Sequence, residues 1–211
     1  MMGDIKIKDL YDWCSVPVGE LENHPKLRMP FRLVKDSDKM GWQMANDFLE
    51  EIIMANSKGM VVRAIVPCGP KNWYSPFTKM VNSHGVSLKN LTIFHMDECL
   101  DWEGKLLPTN HPYNFRTFME KYFYGDILPE LNVPLQQRFF PEPETVTIIK
   151  RKIAEAPIDI ALGGWGQDGH LAYNQARRHP FSSITIEELR NSELRIQDNN
   201  IDTIITLAHR T

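Results

Sequence analysis

The feature that most constrains the fold is an alternation of short apolar runs with longer segments of helical spacing. The runs are rich in β-branched residues, carry at most one charged residue each, and occupy residues 60–66, 91–96 and 158–162. Such runs are typical of strands that are covered on both faces. Because helical segments stand between them, the pattern predicts a doubly wound, Rossmann-like α/β fold with a mostly parallel sheet and helices on both faces.

The most regular helix is predicted to begin after Asp36 or Ser37, either of which suits an N-cap. From there apolar residues recur at every fourth position and form one stripe: Met40, Met44, Phe48 and Ile52. Gly59 follows as the expected C-terminal stop, because glycine adopts the left-handed conformation that ends many helices.

The remaining elements have shorter patterns. Helices are expected over residues 77–83, 112–123 (with Pro112 in the first turn) and 145–155, and strands over residues 31–34, 137–140 and 203–207. The first thirty residues are expected to be irregular, because turn-forming residues interrupt them: Pro17, Gly19, Pro25 and Pro30.

Length and composition predict one α/β domain over residues 1–211, in which 42% of residues are hydrophobic and 24% charged. The net charge of −3 argues against a nucleic-acid partner, which favours a basic surface. No window is long and apolar enough for a membrane span, and no secretory signal is recognisable. Three widely spaced cysteines, Cys14, Cys68 and Cys99, predict a reducing compartment, and therefore the cytoplasm.

Three unusual segments follow three of the predicted strands: residues 67–72, the pair Asp97 and Glu98, and residues 163–170. Ligands of open parallel sheets bind outside the carboxyl ends of the strands, so we expect these segments to meet in one crevice. Adjacent side chains of an extended segment point to opposite sides, so one carboxylate of the pair can face the crevice as a general base. A helix or loop cap is the alternative interpretation.

Four of the eight residues at 163–170 are glycines, which indicates turns with positive φ or the close approach of a ligand. The backbone N–H groups of such a loop can bind an anion. Asp168 and His170 stand two residues apart, so the carboxylate could orient an imidazole that transfers protons. The alternative is a tight turn with a solvated histidine. The first βα turn, at residues 67–72, has no GxGxxG fingerprint, so no dinucleotide cofactor is expected.

The loop of residues 67–72 could hold a phosphate, with Lys71 as a point charge, although a plain turn explains it equally well. It lacks the GxxxxGK[ST] pattern of a P-loop. Cys68 has no activating base near it in the sequence, which disfavours a nucleophilic role.

No metal site is expected. The seven histidines form neither HxxxH nor HExxH. The one alternative is a mixed set of ligands made of Asp97, Asp168 and His170.

Two motifs carry a family resemblance: FHMDE at residues 94–98 and GGWGQDGHLAYN at residues 163–174. They resemble F-x-M-D-E and G-G-x-G-x-D-G-H-I-A-F-N-E of the glucosamine-6-phosphate deaminase (isomerase) family, in the same order, and the resemblance extends over roughly residues 31–211. The related 6-phosphogluconolactonases share G-x-D-G-H but continue differently. The continuation at residues 171–174 resembles the deaminases.

The resemblance implies a phosphosugar ligand and the conversion of glucosamine 6-phosphate to fructose 6-phosphate with hydrolytic release of ammonia. It implies no cofactor and no metal, and it is compatible with a homo-oligomer. Carried over by position, Asp97 would move a proton between C2 and C1, His170 would assist ring opening, and Asp168 would hold His170. Contacts to the substrate or its phosphate are expected from Cys68, Gly69, Lys71, Asn72, Glu98, Gly164 and Gly166.

Three departures from the family pattern stand out. Gln175 occupies the place of a glutamate that supports the catalytic histidine, so an oxygen acceptor is kept but its charge is lost. The loop at residues 67–72 is not the small, Thr- and Gly-rich loop of the family. The chain ends at Thr211, where the family continues with another strand and helix, so we expect either a truncated product or a fragment of a longer protein.

Two other functions remain open. The first is a sugar-phosphate sensor without catalysis, and the second is an isomerase of a different phosphosugar. A lactonase is disfavoured by Tyr173 and Asn174.

Overall fold

The computed structural model describes residues 6–166, 169–175 and 185–209. Its centre is a four-stranded sheet in the order β3-β2-β1-β4, and every pairing is parallel, as predicted. The strands are β1 Val62–Val66, β2 Leu91–His95, β3 Arg138–Phe139 and β4 Ile160–Ala161.

Helices precede, separate and follow these strands. The α-helices are α1 Ile7–Cys14, α2 Ser37–Ser57, α3 Tyr74–His84, α4 Phe115–Tyr122, α5 Val146–Ala154, α6 Ile186–Arg190 and α7 Ile201–Ala208. Short 3-10 helices span Val18–Asn23, Tyr124–Asp126 and Leu135–Gln137. Within the described ranges, no helix combines the length and apolar character needed to cross a membrane.

The start, stripe and stop predicted for α2 are confirmed. The Asp36 carboxylate accepts a hydrogen bond from the backbone N–H of Lys39 at 2.8 Å and caps the helix. Phe48 and Ile52 are buried on the inward stripe. Gly59 has a φ of +63° just beyond the last turn, a conformation that glycine adopts without a steric penalty.

Alternate residues of β1 face two different layers. Ala64 and Val66 are fully buried in one core with Phe48 of α2 and Phe77 of α3. On the opposite face, the Arg63 guanidinium donates hydrogen bonds to backbone carbonyls at the end of α5, including that of Lys152. Helices therefore cover both faces of the sheet, which confirms the doubly wound architecture.

Two predictions are wrong, one for residues 203–207 and one for the first thirty residues. Residues 203–207 lie in α7 rather than in a strand, because Asn200 caps this segment by accepting from the N–H of Thr203 at 3.1 Å. The first thirty residues are not wholly irregular, since α1 and the 3-10 helix at Val18–Asn23 lie there. The first proline, Pro17, comes after α1 and does not interrupt it.

Two further elements differ from the prediction, one strand and one helix start. Residues 31–34 form no strand. Helix α4 begins at Phe115 and not at Pro112, because the Asn114 side chain accepts from the N–H of Thr117 at 2.8 Å and so sets the N-cap.

Candidate active site

The strand order places a topological switch point between β1 and β4. Loops that leave the carboxyl ends of two strands on either side of such a point form a crevice. These are the loop after Val66 and the loop after Ala161, and they touch. A Cβ added at Gly164 would lie 3.3 Å from Pro70 Cδ and 3.8 Å from the carbonyl oxygen of Gly69.

Asp97 enters the same region from β2. The N–H of Met96 donates to the carbonyl of Val66 at 2.9 Å, which extends the pairing of β2 with β1 up to the loop. The next residue, Asp97, accepts a hydrogen bond from the backbone N–H of Cys68. The three segments that follow β1, β2 and β4 therefore meet, as the α/β pattern predicts.

The Asp97 carboxylate is held in an unfavourable environment for a negative charge. Its Oδ1 is buried and has no hydrogen-bond partner among the described residues. Burial first, and then the neighbouring Glu98 charge, raise the pKa of Asp97 to about 7. A carboxylate with such a pKa is a stronger base than an exposed one and still ionises near neutral pH, which is what proton abstraction requires.

Glu98 forms hydrogen bonds with the start of α4. Its Oε1 accepts from the N–H of Phe115 at 2.7 Å, and its Oε2 accepts from the N–H of Arg116 at 2.8 Å, at the first turn of α4. Burial raises the pKa of Glu98, although these backbone donors oppose that rise. The two adjacent carboxylates thus diverge, and the structure engages Glu98, proposed from the sequence to contact substrate, as the anchor of a helix.

Replacing Glu98 by glutamine is expected to lower the free energy of unfolding by about 1–2 kcal/mol, because one oxygen acceptor at the start of α4 becomes a donor. Urea denaturation measures this change. Glu130→Gln, at an exposed glutamate, is the control and should leave the midpoint unchanged. Equal midpoints for both variants would contradict the anchoring role.

The loop at residues 67–72 directs its polar side chains onto its neighbours. The Lys71 Nζ lies 3.7 Å from the centre of the Phe118 ring, and the Asn72 Nδ2 donates to the carbonyl of Ser37 at 3.0 Å. Burial raises the pKa of the Cys68 thiol to about 12, which leaves it unsuited to nucleophilic attack. Gly69 contributes the carbonyl that approaches Gly164.

His170 is held by the glycine-rich loop. The N–H of Gly166 donates to the His170 carbonyl at 2.9 Å, and a Cβ at Gly166 would overlap the imidazole itself. The ring stacks on that of Tyr173, with centroids 5.3 Å apart. The proposed partner Asp168 lies outside the described residues.

Ala172 and Tyr173 connect His170 to the surroundings of Asp97. Both have positive φ, 54° and 55°, which is costly for residues with a Cβ and is common at functional sites. The Tyr173 hydroxyl is hydrogen-bonded to Cys99, and the charge of Asp97 contributes, after burial and Cys99, to raising the pKa of Tyr173. Tyr173 therefore lies between the candidate base and the candidate ring-opening residue.

Gln175 contacts His170 and is itself held firmly. It is 8% exposed. Its Nε2 lies 3.3 Å from His170 Nδ1, and its Oε1 accepts from the N–H of Asn200 at 2.9 Å. The structure thus brings Gln175 to His170, where the sequence predicts a supporting residue.

A cavity of about 890 Å³ opens beside Asp97. It runs between the Ile65 side of the sheet, α5 and residues 192–199. Five carboxylate residues are among those lining it: Asp97, Glu98, Asp101, Glu193 and Asp198. Arg195 is the only lysine or arginine among the described residues in the lining. His170 and Lys71 do not line it.

Arg195 lies in a segment without a motif or regular periodicity, so no sequence pattern points to it. Its environment depends on how residues 192–199 pack against the sheet, and no local pattern reports that. Within the described ranges, no group of three or more histidine, cysteine or acidic residues is placed to hold a metal ion.

Comparisons with known proteins agree with the motifs, although no protein-family model matches the chain. Glucosamine-6-phosphate deaminase from Phocaeicola vulgatus is 30% identical over 182 residues, which cover 82% of this chain and 64% of the relative. The Caenorhabditis elegans enzyme of the same name is 29% identical over 83% of this chain and 62% of its own length. The resemblance to glucosamine-6-phosphate deaminases is confirmed over most of the chain.

The chain spans less than two thirds of the length of these relatives, and 41% of the Aliivibrio fischeri deaminase. Among solved structures, a monomeric glucosamine-6-phosphate deaminase of the NagB superfamily matches with a TM-score of 0.66 and 16% identity, over 84% of this chain and 68% of that one. At this identity the match establishes the shared α/β fold.

Proposed function

We propose that this chain carries the catalytic base of a sugar-phosphate isomerase that releases ammonia from an amino sugar phosphate, with glucosamine 6-phosphate as substrate. The observation that carries the proposal is Asp97, a buried carboxylate with a pKa of about 7 and one oxygen without a partner among the described residues. It lies beside a cavity at the carboxyl ends of parallel strands. The similarity to deaminases over most of the chain supports the choice of substrate.

The chemistry needs a single base on one face of the open-chain sugar. Asp97 removes the proton from C2, the electron pair of that bond forms a double bond to C1, and the C1 carbonyl oxygen takes a proton from solvent and becomes a hydroxyl. Asp97 then returns its proton to C1, which leaves an iminium ion at C2, and water hydrolyses this ion to a ketone, ammonia and a proton. His170 supports the preceding step, in which the ring oxygen gains a proton as the sugar ring opens.

The acidic lining of the cavity suits the amino group of the substrate. Carboxylates such as Asp101 and Asp198 favour a cationic ammonium and disfavour a dianionic phosphate. The phosphate therefore requires a cation, and Arg195 supplies one in the lining. Lys71, predicted from the sequence to contact the phosphate, lies against Phe118 and does not line the cavity, so it is less suitably placed than Arg195.

Arg195→Ala is expected to raise KM for the phosphosugar about ten- to a hundredfold, because a charge-assisted hydrogen bond is lost. Lys71→Ala is the matched control and should leave KM nearly unchanged. Steady-state kinetics of both variants test the assignment. A larger increase of KM for Lys71→Ala would return the phosphate to the loop at residues 67–72.

The proposed function is tested by measuring ammonia and fructose 6-phosphate formed from glucosamine 6-phosphate, with Asp97→Asn as the reference. Turnover that disappears in the variant supports the proposal. Glucose 6-phosphate, run in parallel, detects an isomerase that does not require the amino group. A kcat of Asp97→Asn within about tenfold of the wild-type value would overturn the role of the base.

A sensor without catalysis is the second candidate, and it is favoured by Gln175 in the place of a charged residue. It predicts a thermal stabilisation that grows with the concentration of sugar phosphate, without turnover. In either role, the three free cysteines suit a reducing compartment such as the cytoplasm.

A further inference from the structure

The side-chain amide of Gln175 has one orientation that suits its neighbours. Its Oε1 is 2.9 Å from the backbone nitrogen of Asn200. A backbone N–H can only donate, so the amide oxygen must lie on this side. The NH₂ group then faces the Thr203 hydroxyl, with which it is hydrogen-bonded, and His170 Nδ1.

Both anchors of this amide come from the first turn of α7. Asn200 is the N-cap, and its side-chain oxygen accepts from the N–H of Thr203 at 3.1 Å. Gln175 and Thr203 are only 8% and 6% exposed. Buried polar groups are rarely left unpaired, so an amide rotation that breaks both contacts is strongly disfavoured. The start of α7 therefore sets which atom of Gln175 meets the imidazole.

An amide nitrogen can only donate a hydrogen bond, so the His170 nitrogen that meets it must accept. We propose that Thr203 and Asn200 are positioning residues that orient Gln175 and, through it, hold neutral His170 with its proton on Nε2. The consequence for turnover rests on the proposed function, because Nε2 is then the ring nitrogen that carries a proton for the sugar. The tautomer itself does not depend on the reaction.

A glutamate at position 175 would reverse this arrangement. Its carboxylate could accept from the Asn200 N–H, the Thr203 hydroxyl and an Nδ1–H of His170 together. Gln175→Glu is therefore expected to move the His170 proton to Nδ1 without disturbing the anchors. The side chain at position 175 therefore selects the tautomer of His170. The Asn200 N–H and the Thr203 hydroxyl hold that side chain in the same place in the wild type and in Gln175→Glu.

Nitrogen-15 NMR of the histidine side chains in the full chain tests this directly, with His170 assigned by the signals lost in His170→Gln. In the wild type, Nδ1 should resonate as an unprotonated nitrogen and Nε2 as a protonated one. Gln175→Glu should exchange this pattern. A protonated Nδ1 in neutral wild-type His170, or an unchanged pattern in Gln175→Glu, would overturn the proposal.

Thr203→Val and Thr203→Ser test the anchor. Thr203→Val removes the hydroxyl acceptor at nearly constant volume and should give a mixture of His170 tautomers, whereas Thr203→Ser should preserve the wild-type pattern. Thr203→Val should also lower kcat about tenfold with little change of KM, and Thr203→Ser should keep the wild-type kcat. Identical tautomers in the two variants would overturn the positioning role. If neither the wild type nor the variants convert the phosphosugar, the proposed function fails, and the NMR spectra still decide the inference about the His170 tautomer.

Discussion

Asp97→Asn is expected to remove nearly all turnover and, at the same time, to stabilise the folded protein. Asparagine cannot remove a proton from carbon, so kcat should fall by a factor of roughly one hundred to ten thousand. The same substitution removes a carboxylate that is buried with an oxygen lacking a partner among the described residues. Opposite changes of activity and stability are typical of a group that is retained for function at a cost to the fold.

The gain in stability has a defined dependence on pH. The pKa of Asp97 is raised from 3.8 to about 7 on folding, mainly by burial. Between these values the folded state keeps a proton that the unfolded state releases, so the wild type loses stability as pH rises. Above pH 7 the loss is complete, and there Asp97→Asn should be more stable than wild type by about 2–4 kcal/mol. Near pH 4 the difference should almost vanish.

Two measurements check this expectation. Urea denaturation at pH 5 and pH 8 compares the stability of wild type and Asp97→Asn. For the wild type, kcat/KM should rise with pH to a plateau as Asp97 ionises, with a midpoint near its pKa of about 7.

Glu130→Gln, at an exposed glutamate, serves as the control, since it should keep both the stability and the pH profile of the wild type. A less stable Asp97→Asn variant at pH 8, or a pH profile that is flat from 5 to 8, would contradict the assignment of Asp97.

Gly166→Ala is expected to lower kcat about a hundredfold while leaving the fold intact. The added Cβ would overlap the imidazole of His170, and the ring would have to rotate away. A rotated side chain costs little stability, but a reacting group displaced by about 1 Å costs about a hundredfold in rate. The φ of Gly166 is not positive, so the effect is steric and not a matter of backbone strain.

Gly163→Ala is the matched control from the same loop. Its Cβ would lie 3.6 Å from Met96 Cε, an ordinary contact. Thermal unfolding should be similar for both variants, whereas only Gly166→Ala should lose activity. Full activity of Gly166→Ala would show that the position of the His170 ring is not critical, and equal losses in both variants would indicate a general effect on the loop.

The parts of the fold that could be predicted are those whose signals lie within a few residues. Helix α2 has a cap at Asp36, a regular apolar stripe and a stop at Gly59, and all three are confirmed. The strands β1 and β2 have short, largely apolar runs, which are typical of strands covered on both faces. The convergence of the loops after β1, β2 and β4 follows from parallel pairing alone.

The wrong predictions concern segments whose structure depends on contacts with residues distant in the sequence. The run at residues 203–207 is rich in β-branched residues and favours a strand, yet Asn200 caps it as a helix and Thr203 packs against Gln175. Propensity is a weak preference, and a cap together with tertiary contacts overrides it. The neighbour of Thr203 lies 28 residues away, so no local pattern reports it.

Within the candidate site, the sequence predicts which residues meet but not what each one does. The motifs point to Asp97, His170 and Gln175, because only side chains of certain types can remove a proton, transfer one or hydrogen-bond the group that does. Packing decides that Asp97 is buried beside Cys68 while Glu98 anchors α4. Desolvation and hydrogen bonding depend on every element around a group, so a pKa or a tautomer belongs to the folded structure and not to the sequence segment.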